Sequence, residues 1–113
     1  MRKFISWQEV RFMHGTNAAI STKGGCVESL LCGGNGHSDV IRDDHILYSV
    51  PNRKFYFKSL EILQFSFKNK ASIRVFQKLQ QNKWHERGLY KIHNIALIND
   101  NWVVGLEPYV ENN

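Results

Sequence analysis

Short apolar runs broken by polar and glycine-rich segments dominate the chain, and only two stretches carry a helical period. The first opens with Ser6-Trp7-Gln8-Glu9, a capping-box pattern in which Ser6 accepts first-turn amides and Glu9 reaches back. Trp7, Val10 and Phe12 or Met13 supply its apolar side, and Gly15 suits the left-handed position after its last turn. The second runs from Lys58 to Lys68, with Leu60, Leu63 and Phe67 at i, i+3 and i+7 and Ser59 in its first turn or at its cap. A strand through Phe65-Ser66-Phe67 competes with it.

Elsewhere the pattern is that of strands. Thr16 to Gly25 is small and polar, ends in Lys23-Gly24-Gly25, and reads as a loop. Val27–Cys32 is a short apolar run. Val40-Ile41 and His45–Val50 form two more strands, turned by Arg42-Asp43-Asp44. Ser72–Phe76 alternates cleanly, which turns Arg74 away from Ile73 and Val75. Gln80–Lys83 is a turn, Leu89–Ile92 begins another strand, and Asn99-Asp100-Asn101 is a hairpin turn returning into Trp102–Leu106. The sum predicts an α+β fold: a small, strongly curved antiparallel sheet or β-barrel with one or two flanking helices.

Length makes this one domain over residues 1–113, since 113 residues suffice for a single core. Hydrophobic content of 42% and aromatic content of 12% belong to a folded chain rather than a disordered one. No apolar run is long enough for a membrane helix, and the start is no signal-peptide core. Two cysteines, Cys26 and Cys32, are too few for a disulfide framework, so an intracellular, cytoplasmic protein is expected. Their spacing from His14 and His37 fits no standard zinc site, and neither metal nor cofactor is expected. The net charge of +5 suits a polyanion partner, although the cations are scattered over the chain. Arg53-Lys54 and Lys68-x-Lys70 come nearest to clusters.

The candidate chemistry lies between Gly33 and Ser49, where glycines, two histidines, three aspartates and a tyrosine crowd into little apolar surface. Such a segment suits the wall and floor of a pocket. Gly33-Gly34-Asn35-Gly36 is followed by no Walker-type lysine, which excludes a P-loop. His93-Asn94 lacks the surroundings of an HNH nuclease site, and the Asp…Glu-x-Lys nuclease pattern has no clear match.

Three segments, in order, resemble one family. Met13-His14-Gly15 resembles an early Val-His-Gly. Gly36-His37-Ser38-Asp39-Val40 through Tyr48-Ser49 resembles a Gly-Gly-Tyr-Glu-Asp-Asp-Val segment and the Tyr-Thr-Gly that follows it. Ser72–Phe76 and Gly88-Leu89-Tyr90-Lys91 resemble Pro-Val-Arg-Val-Ile-Arg and Asp-Gly-Leu-Tyr-Lys-Val. Together they are similar to the SRA (SET- and RING-associated) domain, a PUA-related reader of modified cytosine, in the compact form found beside bacterial restriction nucleases.

The resemblance implies double-stranded DNA containing 5-methyl- or 5-hydroxymethylcytosine as partner, with the base flipped into a pocket. Asp39 takes the place of the aspartate that reads the base edge. Tyr48 takes that of a stacking tyrosine, and Ser49 that of the neighbouring threonine. His37 stands where the other tyrosine is expected, a departure, since imidazole covers less area. The glycine-rich turn after Tyr-Thr is replaced by Val50-Pro51-Asn52-Arg53, so the segment that larger members insert into the duplex is expected to be short or absent. Gly33, Gly34 and Gly36 permit close backbone approach to a base, and Cys32 packs beside the pocket. Arg53, Lys54, Arg74 and Lys23 are the candidate backbone contacts. The implied role is non-enzymatic recognition for restriction or defence, with cleavage in a partner or fused domain. Asp39 as a turn cap, Tyr48 as a half-buried strand residue and His37 as a loop histidine are the plainer readings. A PUA-like binder of RNA or unmodified nucleic acid, a protein-interaction accessory domain and a metal-dependent nuclease are the alternatives.

Overall fold

The computed structural model describes residues 4–33 and 39–110. Helix α1 (Trp7–His14) starts as its sequence dictates: the Glu9 amide donates to Ser6 Oγ at 3.2 Å and the Ser6 amide to Glu9 Oε1 at 3.2 Å. Gly15, at φ 83°, closes it with its amide on the Arg11 carbonyl at 2.8 Å. Val10 and His14 are the buried residues of this helix, whereas Phe12 is 90% exposed and Met13 also faces outward. The expected apolar side was therefore placed one step off. The second helix, α2 (Phe57–Lys68), follows a short 3-10 turn, Lys54–Tyr56. It buries Leu60 and Leu63, as its period predicts, but Ser66 instead of Phe67. The Ser66 hydroxyl donates to the Ile62 carbonyl and accepts the Val27 amide at 2.8 Å, tying α2 to the sheet.

The strands are β1 (Ile20–Lys23), β2 (Cys26–Cys32), β3 (Val40–Ile41), β4 (Ile46–Pro51), β5 (Ile73–Gln80), β6 (Lys83–Ile98) and β7 (Asn101–Pro108). They form one seven-stranded sheet in the order β1-β2-β5-β6-β7-β4-β3. The sheet is mixed, not purely antiparallel, because β2 and β5 run parallel. That pairing needs a long crossover, supplied by β3, β4 and α2.

Two elements differ from expectation. The stretch expected to be a loop contains β1, whose composition is too polar to announce a strand. Gly24 and Gly25, at φ 63° and 84°, fold it back so that Lys23 pairs with Cys26. Leu89–Ile92 is the middle of the sixteen-residue β6 rather than a new strand. Gly88, at φ 89°, lets β6 bulge and continue: Val75 pairs with Gly88 and Phe76 with Glu86, leaving Arg87 between them.

Lateral order and proximity show that the sheet is strongly curved. β1 and β4 are five strand steps apart, about 24 Å in a flat sheet at ~4.8 Å per step. Yet residues of both line the same cleft. The enclosed core includes Leu30 and Val27 of β2, Ile46 and Val50 of β4, Ile73 and Val75 of β5, and Leu63 of α2. A second cluster on the α1 side joins Val10, Phe76 and Trp84.

Candidate functional site

Asp39 sits immediately before β3. Its Oδ1 accepts the Ser49 amide of β4 at 3.0 Å, and its Oδ2 accepts the Gly33 amide at the end of β2 at 3.3 Å. One carboxylate thus bridges two strands that lie far apart in the sheet order. Gly33 is at φ 79°, and a Cβ there would stand 3.0 Å from the Lys78 carbonyl oxygen. A side chain is disfavoured on both counts, by conformation and by space.

Beside this bridge a cleft of about 360 Å³ opens between β1, β4 and the start of α2. Ile20, Thr22, Tyr48, Ser49, Phe55 and Tyr56 are among its walls. Tyr48 is 5% exposed, and burial raises its hydroxyl pKa, helped by the nearby Asp39, Cys32 and Tyr56 groups. The ring is therefore neutral throughout the physiological range. Cys32 is also buried; burial, and then the Asp39 charge, push its thiol up to about 12, with Arg87 partly opposing. It behaves as a small apolar group, not a nucleophile.

Sequence reasoning missed Arg87. The bulge in β6 re-aims its side chain. Its Nε donates to the Tyr90 hydroxyl at 3.0 Å, one terminal nitrogen to Gln77 Oε1 at 3.0 Å, and the other to the Arg42 carbonyl at 2.6 Å. Arg42 lies in the β3–β4 turn, where its amide bonds the His45 carbonyl at 2.9 Å. Arg87 therefore holds the β3–β4 hairpin, and with it the end of the segment that carries Asp39, against β5 and β6. Gly88 inside an otherwise strand-like run was the available signal.

His14 is a buried pin rather than a site residue. Its Nε2 donates to the Ala18 carbonyl at 2.7 Å, which leaves Nδ1 to accept from the Ser29 hydroxyl. Burial lowers its pKa, the Ala18 bond opposing, so the ring is held neutral.

The expected residues divide clearly. Gly33, Asp39, Tyr48, Ser49 and Cys32 converge on one region. Arg53 and Lys54 are exposed on the turn that carries Phe55, and Lys23 follows Thr22 of the cleft wall. Arg74 is not a cleft residue: it faces outward, as its alternation predicts, and pairs with Glu86 at 3.6 Å. Gly34, Gly36 and His37 lie outside the described residues. A larger recess of about 710 Å³ on the α1 side, walled by Trp7, Trp84 and Lys78, touches only Cys32 of the expected set.

No family model and no curated protein matches the sequence. Solved structures do match its backbone. The SRA domain of SUVH5 in complex with hemi-methylated CG DNA superposes at a TM-score of 0.76 with 16% identity, covering 99% of this chain and 89% of that one. The modification-dependent TagI restriction endonuclease follows at 0.74 and 16%, covering 97% of this chain. The chain spans about half of that enzyme, 49% of its length. Arabidopsis thaliana SUVH6 in complex with SAM matches at 0.71 and 18%, over 98% of this chain and 26% of that one.

The chain has an SRA fold.

At such identity the likeness is one of backbone. In this SRA fold Met13-His14-Gly15 is a helix end with a buried histidine, and Ser72–Phe76 and Gly88–Lys91 are the paired β5 and β6. Those segments are structural. The Asp39–Ser49 contact, by contrast, adjoins the cleft through Ser49. Among the described residues no helix is long and apolar enough to cross a membrane.

Proposed function

We propose that residues 1–113 act as one recognition unit that reads a modified cytosine in double-stranded DNA, drawing the base out of the duplex into the cleft beside Asp39, Tyr48 and Ser49. The observation that carries this reading is the bridge from the Asp39 carboxylate to the amides of Gly33 and of Ser49, the latter a cleft residue. A cytosine edge offers one exocyclic amine and two acceptors, and a carboxylate flanked by backbone amides is its complement. In the structure these groups satisfy one another, so the base would exchange partners with them. Tyr48 offers a neutral aromatic wall.

Extrusion costs a few kcal/mol, offset by stacking and hydrogen bonds. A methyl group in an apolar niche adds roughly 1–3 kcal/mol, hence about 10–200-fold preference. Exposed Arg53, Lys54 and Lys23 supply phosphate contacts that position the duplex without reading sequence. The SRA-fold neighbours support this reading, one being bound to hemi-methylated CG DNA, another to fully hydroxymethylated CG DNA, and a third being a modification-dependent restriction endonuclease. Recognition in a restriction or defence system is the role proposed here, with cleavage contributed by another domain or subunit.

The test is fluorescence anisotropy on matched duplexes carrying cytosine, 5-methylcytosine or 5-hydroxymethylcytosine, at two salt concentrations, with wild type and Asp39→Ala. Tighter binding to one modified duplex, abolished in the variant, is the expected result. Equal, salt-erased binding to all three, or equal affinity for RNA, overturns it.

A further inference from the structure

We infer that the recess on the α1 side is a second ligand site, one that takes a nucleotide, and it does not depend on the base-reading proposal above. Its volume of about 710 Å³ is within the range of small-molecule sites, roughly 300–1,000 Å³. Trp7 and Trp84 form a flat apolar wall, their ring centroids 5.3 Å apart and their planes 31° from parallel, with Leu31 beside them. Trp84 is 5% exposed, and its Nε1 donor is buried with no hydrogen-bond partner among the described residues. Folded proteins rarely leave such a donor unmatched, and an acceptor seated against the two rings would match it.

The polar walls point the same way. Asn82 Oδ1 accepts the Trp7 amide at 2.9 Å, and Asn17 Oδ1 accepts Arg11 Nε. Both partners can only donate, so each asparagine turns its oxygen to them and keeps its NH2 for other contacts. Asn17 and Asn82 line the recess together with Lys78, and among the described residues its walls include no carboxylate. Two amide donors, one indole donor and one ammonium therefore border a space with an aromatic wall. The complement is an anion that carries a flat ring edged with acceptors. A nucleotide has both parts: base carbonyls and ring nitrogens for the amide and indole donors, a phosphate for Lys78, and a π-face for the tryptophans. The recess shares Ala19 alone with the Tyr48 cleft, so the two are separate positions.

The experiment titrates wild type, Asn82→Asp and Lys78→Ala with cytidine monophosphate, adenosine monophosphate, adenosine and inorganic phosphate, followed by calorimetry and by the indole N–H resonances in NMR spectra. Asn82→Asp is the decisive variant, because a carboxylate still accepts the Trp7 amide while the donor to the ligand becomes a negative charge. Saturable binding of both monophosphates is expected. The Trp84 indole resonance should move, and that of Trp102, already bonded to Asn52, should stay in place. Asn82→Asp and Lys78→Ala should each bind at least ~10-fold more weakly, the effect of losing one hydrogen bond to a charged group. Asn17→Asp repeats the test from the other wall should Asn82→Asp fold poorly, as judged by circular dichroism and Tm. A short single-stranded oligonucleotide that displaces the mononucleotide assigns the site to a nucleotide within a strand, and one that does not assigns it to the free molecule. No saturable binding, full affinity in the variants, or equal affinity for adenosine or for phosphate alone overturns the inference.

Discussion

Asp39 and Ser49 are ten residues apart and meet at 3.0 Å, carboxylate oxygen to backbone amide. The contact spans the β3–β4 hairpin and joins the start of β3 to the middle of β4, so this one side chain orders the hairpin and holds Ser49, a residue of the cleft wall.

Asp39→Asn separates these two duties. An amide oxygen still accepts one backbone N–H, so urea unfolding should show a loss near 1 kcal/mol, against about 1–3 kcal/mol for Asp39→Ala. Both variants should lose the preference for modified over plain cytosine, because without a carboxylate to accept from its amine the base is no longer held in the cleft and only backbone binding remains. Asn retaining full preference in anisotropy titrations would remove Asp39 from the reading role.

Arg87→Ala removes three hydrogen bonds, one to the Arg42 carbonyl in the β3–β4 turn, one to Gln77 of β5 and one to Tyr90 within β6. A stability loss of about 2–4 kcal/mol is expected in urea unfolding, with most of the discrimination between modified and plain DNA lost under native conditions. Arg87→Lys should rescue little, since one ammonium lacks the planar fork that reaches Gln77, Tyr90 and Arg42 together. Full rescue by lysine would show that charge alone suffices.

His14 sets an acid limit. Its folded-state pKa lies below 6.5, the ordinary value, because the ring is buried. The unfolded chain therefore binds more protons between the two values, and stability rises with pH in that window. The contribution is fully present above about 6.5 and is lost as pH falls from there through the folded-state value. Urea midpoints measured from pH 7.5 to 5 should fall, and His14→Asn should flatten that part of the profile. A wild-type midpoint unchanged over this range would show that the ring titrates normally.

Cys32 should resist thiol reagents. With a pKa near 12 it carries on the order of 10³-fold less thiolate than a free cysteine at the same pH, and burial blocks access as well. In Cys26→Ser, modification by a disulfide reagent at pH 8 should await addition of denaturant. Rapid labelling under native conditions would mean that the end of β2 opens readily, which conflicts with a preformed site.

The sequence by itself determined the local elements whose chemistry is short-ranged. Ser6 and Glu9 write the start of α1 and Gly15 its end, Asn99-Asp100 turns the last hairpin, and the clean alternation of Ile73-Arg74-Val75 names both a strand and its outward face. The ordered motifs around Asp39 and Tyr48 were also enough to suggest the fold that the backbone comparisons then matched. What required the tertiary structure were relationships across the sheet. β1 is a strand because β2 pairs with it, not because Ile20-Ser21-Thr22-Lys23 favours one. The parallel pairing of β2 with β5 arises from a crossover that no local signal encodes. Phe67 and Phe12 lose their expected places to Ser66 and His14, because a buried hydrogen bond at the right point of a helix can replace apolar contact. Curvature decides the site: it brings β1 and β4 to one cleft and aims Arg87 at the Arg42 carbonyl, forty-five positions away. Periodicity reports which side of an element is apolar. Only the curved sheet determines which distant elements share a surface.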